Sequence, residues 1–115
     1  VFTLRWTEEA ASEYARLKEK AKAALEGRPA KGRRKANRSE GLFNQVHKCV
    51  SLLAENPRHP GLKTHEFRSL EHPFNANEKV FEAYAQNRTA GAYRVFWCYG
   101  PATGEITIIA ITPHP

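Results

Sequence analysis

The chain has 115 residues, 41% hydrophobic and 10% aromatic, with a formal net charge of +6 and a pI near 9.6. That length suits one domain burying roughly two-thirds of its unfolded surface, and the composition excludes a disordered chain. All 12 acidic residues are Glu, with no Asp, which removes the commonest Mg²⁺ and Ca²⁺ ligands and argues against a metal-dependent nuclease.

Val1 to Trp6 alternates, with Phe2, Leu4 and Trp6 on one side and Thr3 and Arg5 on the other, which predicts a half-buried strand. Thr7 then offers a helix N-cap, with Glu8 and Glu9 at the positive end of the dipole. Ala10, Tyr14, Leu17, Ala21 and Leu25 give one narrow stripe of an amphipathic helix, ended by Gly27 and Pro29. Residues 27–38 read as a basic loop without a hydrophobic anchor; between Arg16 and Arg38 lie ten Lys or Arg against two Glu. Such a patch favours phosphate-bearing partners or an acidic protein, and equally describes a solvated surface. Ser39 can cap a second helix whose stripe is Leu42, Val46, Cys49, Val50 and Leu53, and Asn56-Pro57 stops it.

A Pro- and Gly-punctuated connector follows over 56–63. A short strand is expected from His65 to Leu70, a turn-rich stretch from Glu71 to Lys79, and a strand from Val80 to Gln86. Tyr93 to Tyr99 and Ile106 to Ile111 read as a hairpin joined by Gly100-Pro101-Ala102-Thr103-Gly104. The order is strand, helical hairpin, then a three- to four-stranded antiparallel meander. That is an α+β fold with the helices on one sheet face, in a single domain over 1–115. Cys49 and Cys98 have no partner motif and are expected to be small buried hydrophobes, which fits a reducing cytoplasm. No apolar run approaches the roughly 20 residues of a membrane span, so no membrane role is expected.

Arg94 is the most informative residue, because it interrupts the most apolar stretch of the chain. A guanidinium cannot be deprotonated and is costly to leave unpaired in a core. Alternation places it with Phe96 and Cys98, opposite Tyr93, Val95, Trp97 and Tyr99. If the latter face packs on helices, Arg94 is expected to face an open groove and meet something anionic there. The alternative is a structural ion pair with Glu82 or Glu105 on a neighbouring strand. His59 and His72, each followed by Pro, are expected at the surface of turns. The five His and two Cys show no pair at zinc-site spacing, and no cofactor is expected.

Three pieces, in order, resemble the RelE/ParE toxin superfamily over essentially the whole chain. They are Leu4-Arg5-Trp6-Thr7-Glu8-Glu9-Ala10, Pro60-Gly61-Leu62-Lys63, and Tyr93-Arg94-Val95-Phe96-Trp97 through Ile111-Thr112-Pro113-His114. The resemblance implies a small bacterial toxin neutralised by a cognate antitoxin. The RelE-like branch cleaves messenger RNA within the ribosome without metal, whereas the ParE-like branch inhibits DNA gyrase and lacks the nuclease residues. By that resemblance Arg94 matches the strand arginine that contacts the scissile phosphate. His114 matches the post-strand histidine that, in some nuclease members, sits beside the scissile bond, and Lys63 matches a basic position on the connector. Two departures stand out. Pro115 occupies the place where a tyrosine commonly follows the histidine, and the Pro60-Gly61 region holds no counterpart of the glutamate that serves as base in one branch.

Metal-free cleavage uses the RNA's own 2′-hydroxyl as nucleophile. The protein must take that proton, stabilise the extra charge at phosphorus and protonate the leaving 5′-oxygen. Arg94, His114 and Lys63 can together supply these functions. Arg33, Arg34, Lys35 and Arg38 of the basic loop, with His65, Arg68 and Arg88 beside the sheet, are the expected RNA contacts. The expected function is a ribosome-dependent mRNA endoribonuclease of a toxin–antitoxin pair. A non-enzymatic gyrase inhibitor, or a non-toxic RNA- or protein-binding module of the same fold, are the alternatives.

Overall fold

The computed structural model describes residues 1–26, 38–87 and 90–114. Strand β1 (Thr3–Trp6) leads into helix α1 (Glu8–Glu26), and helix α2 (Arg38–Glu55) returns antiparallel to it. A 3₁₀ turn at Pro60–Leu62 precedes strands β2 (His65–Glu66), β3 (Phe81–Tyr84), β4 (Tyr93–Tyr99) and β5 (Glu105–Pro113). The sheet order is β1-β5-β4-β3-β2. Strands β2 to β5 form the expected antiparallel meander, and β1 adds parallel to β5 at the far edge.

Local chemistry accounts for the element boundaries. The Thr7 hydroxyl accepts the Ala10 amide at 3.1 Å, an N-cap, and donates to the Ile109 carbonyl at 2.6 Å. The β2 strand is shorter than expected: the chain turns away after Phe67, whose amide donates to the Val80 carbonyl at 2.8 Å. Helix α2 begins at Arg38, so Ser39 lies inside its first turn rather than before it.

The helices cover one sheet face. Ala10 and Leu17 from α1 and Val46, Cys49, Val50 and Leu53 from α2 pack on Ala83, Val95, Trp97, Ile106, Ile108 and Ile111. Leu25 departs from its expected stripe: it is 51% exposed, in a shallow groove with Ala21 and Phe43 where the hairpin is no longer backed by sheet. Burial pushes the Cys49 thiol up to about 12 and the Cys98 thiol up to about 11, as suits small core residues.

A bulge in β5 shapes the opposite face. Phe96 pairs with Ala110, but the next residue, Trp97, pairs with Ile108, leaving Ile109 as the extra residue. The bulge resets the alternation of β5. Ile106, Ile108 and Ile111 therefore all reach the core, and Ala110, Thr112 and then His114 fall on the face of Arg94.

Candidate active site

The sheet face away from the helices carries a dense group of chemistry-bearing side chains among the described residues. Antiparallel pairing sets His65 opposite Glu82 and Tyr84 opposite Arg94, and all four share this face. His114 joins them from just beyond β5, where its amide donates to the Ala92 carbonyl at 2.7 Å.

Glu82 is the centre of the group. Its side chain is 2% exposed, and one oxygen, Oε1, lies 2.6 Å from His65 Nε2. The other, Oε2, lies 3.6 Å from both Arg94 Nε and His114 Nε2. Those two separations are ion-pair contacts without a hydrogen bond, and both Glu82 Oε2 and Arg94 Nε are buried without a hydrogen-bond partner. The remaining groups hold Arg94 in place. Its Nη1 donates to the Gln86 carbonyl at 2.7 Å and to the Tyr93 carbonyl at 3.3 Å, and its Cζ lies 3.7 Å from the centre of the Tyr84 ring. The His65 ring meets the other side of the group edge-on to Tyr84, at 5.8 Å, and its Nδ1 lies 3.3 Å from the Lys63 carbonyl.

This geometry corrects the expectation of an Arg94 facing an open groove. Arg94 is only 8% exposed, and the anion it meets is Glu82 of its own chain. The packing explains why: the Tyr84 ring and the Gln86 backbone cover the guanidinium, and Phe67 against Phe96, at 4.6 Å, fills the adjoining surface. The solvent-facing rim consists of the two imidazoles, His65 at 49% and His114 at 47% side-chain exposure. The group is thus a buried carboxylate shared by one permanent cation and two accessible titratable rings. Such rings can take and give protons near neutral pH.

The other sequence candidates are dispersed. Lys63 is exposed, with left-handed backbone at φ 50°, and lines a groove with Phe81, Trp97 and Tyr99 on the helix-side face. Arg68 is exposed beside Glu66, 3.7 Å away, and Arg38 is exposed at the start of α2. Arg33, Arg34, Lys35 and Arg88 lie outside the described residues. His72 is not a surface residue: it is 7% exposed. Its Nδ1 accepts the Phe74 and Asn75 amides at 3.1 Å each, and its Nε2 lies 3.0 Å from the Tyr99 carbonyl. Two donated amides make Nδ1 the acceptor and Nε2–H the donor, so the ring pins the 72–75 loop to the end of β4.

Glu82 was visible in the sequence only as a pairing partner for Arg94. Its signal was a lone acid in a strand whose alternate residues, Phe81 and Ala83, face the core.

No family model matches the sequence, and no curated protein matches it. Three solved structures share its architecture. A YoeB/ParE toxin from Agrobacterium tumefaciens superposes with a TM-score of 0.60 at 11% identity, covering 98% of this chain and 99% of that one. The intact RelBE toxin–antitoxin complex of E. coli gives 0.53 at 12% identity, covering 100% and 99%. A copper-bound mutant toxin from Helicobacter pylori gives 0.50 at 12% identity, covering 99% and 96%. The fold is RelE/ParE-like. On this RelE/ParE-like sheet, no group of three His, Cys or Glu among the described residues is arranged to hold a metal ion.

Proposed function

We infer that this chain is the toxin of a toxin–antitoxin pair and cleaves messenger RNA on the ribosome without a metal, acting in the cytoplasm. One observation carries the reading: two half-exposed imidazoles, His65 and His114, flank a single buried carboxylate beside a fixed guanidinium. One imidazole takes the 2′-hydroxyl proton and the other protonates the leaving 5′-oxygen. Glu82 orients His65 through the 2.6 Å contact and stabilises whichever ring carries the proton. Arg94 pairs with Glu82 and adds positive potential beneath the phosphate. The likeness to a YoeB/ParE toxin and to the RelBE complex supports a toxin role and an antitoxin partner.

The competing reading is a ParE-like gyrase inhibitor, favoured by the pairing of Arg94 with Glu82, which offsets the charge a phosphate contact would use. Two assays separate them. Induced expression should arrest growth, with primer extension showing cuts inside translated messages. His65→Ala and His114→Ala should each lower cleavage by about a hundredfold or more. If the double variant cleaves at the normal rate, the acid–base reading is wrong. Loss of gyrase supercoiling with intact messages would establish the competing one.

A further inference from the structure

We propose that the turn end of the sheet, around Tyr99, is a stacking platform for a segment of single-stranded RNA. It is separate from the Glu82 group and rests on the RNA-cleaving reading above. Three grooves, of about 580, 450 and 450 Å³, meet at Tyr99. Their walls are aromatic: Phe74 in the first, Phe81 and Trp97 in the second, Phe2 in the third. Two of the rings stand open to solvent, Phe74 at 53% and Tyr99 at 41% exposure.

The charges at this end select the occupant. Arg58 borders the second and third grooves, Lys63 the second and Lys79 the first. The acids are fewer: Glu78 borders the first groove, while Glu105 in the third is already paired with Arg5 at 3.2 Å. The second groove is lined by Arg58 and Lys63 with no acid. The Trp97 indole N–H and the Thr64 hydroxyl oxygen, both from residues lining this groove, are buried without hydrogen-bond partners. Aromatic faces beside cations are what successive bases and their phosphates require. A protein partner of the aliphatic kind would meet few matching side chains here.

Tyr99 lies five residues along β4 from Arg94, on the opposite face and about 17 Å away. The platform and the acid–base group are therefore two separate sites.

The test uses the full chain and fluorescein-labelled hexauridylate and hexaadenylate, read by anisotropy at two salt concentrations. The double variant Phe74→Ala/Tyr99→Ala should bind roughly 25-fold or more weakly, since base stacking on one aromatic side chain is worth roughly five- to 150-fold. Tyr99→Phe should bind normally. Arg58→Ala should weaken binding and flatten its salt dependence. The protein has two Trp, so the Trp97 indole resonance is assignable with Trp6→Phe, and it should shift as hexamer is added. His65→Ala/His114→Ala is read by message cleavage and Phe74→Ala/Tyr99→Ala by hexamer affinity, so failure of the acid–base reading and failure of this proposal show in different assays. The proposal is overturned if the folded Phe74→Ala/Tyr99→Ala variant binds within twofold of the parent, or if the Trp97 signal stays still at saturation. It is equally overturned if that variant loses an antitoxin while keeping its RNA affinity, which would make the surface a protein-docking site.

Discussion

Replacing Glu82 with Gln tests the electrostatic core of the site. The carboxylate is almost wholly buried between Arg94 and two imidazoles, so the substitution leaves Arg94 covered with no anion beside it. Leaving one member of a buried pair unpaired costs about 3–5 kcal/mol. Two features place this site at the low end. The Arg94–Glu82 contact is 3.6 Å without a hydrogen bond, and Arg94 keeps its two carbonyl acceptors and the Tyr84 ring. A loss of about 3 kcal/mol is expected, seen as a fall in the melting temperature on the order of 10 °C. Adding Arg94→Met to Glu82→Gln removes the stranded charge, and most of the lost stability should return, because an apolar replacement of both partners is close to neutral. Urea titrations of the parent, the two single variants and the double variant give the coupling directly. A cost below about 1 kcal/mol for Glu82→Gln, or strict additivity in the double variant, would refute the claim that Glu82 and Arg94 stabilise each other.

Other consequences are independent of that pair. Leu53→Ala, at a fully buried position, should lower stability by about 2–5 kcal/mol, while Leu25→Ala at the open end of the hairpin should stay within about 0.5 kcal/mol, both read by urea denaturation. Thr7→Ala removes both the α1 cap and the bond to the bulged Ile109 carbonyl and should cost about 1–2 kcal/mol in the same assay. Iodoacetamide should leave both thiols unmodified in the native chain at pH 8 and label both once it is unfolded, since burial raises Cys49 to about 12 and Cys98 to about 11. The Arg16 hydrogen bond holds Glu13 below its ordinary value of 4.5. That contribution is present above the ordinary value and is lost as pH falls through the lowered one, so Glu13→Gln should make the loss of melting temperature below pH 4.5 shallower.

Much of the fold was legible in the residues because local period and burial agree. The alternation before Thr7, its cap on α1, the Val46-to-Leu53 stripe and the hairpin strands all appear where their patterns place them. Boundaries were less legible where burial depends on what lies opposite. The α1 stripe extends to Leu25 in sequence, but only a backing sheet could bury it. Likewise the sequence shows that Arg94 needs an anion but does not say whether a ligand or Glu82 supplies it.

By itself the sequence determined the element types, the one-sided helical layer and the sorting of Arg94 away from the core, because each follows from side-chain periodicity along one segment. The tertiary structure alone decided which groups meet. Strict alternation from Ile106 would turn His114 toward the helices. The extra residue in β5 reverses that parity and delivers the ring to Glu82. Pairing of β2 with β3 brings His65, rather than Lys63, onto the same carboxylate. Register between distant strands is a property of the assembled sheet, and a one-residue offset moves every later side chain to the other face.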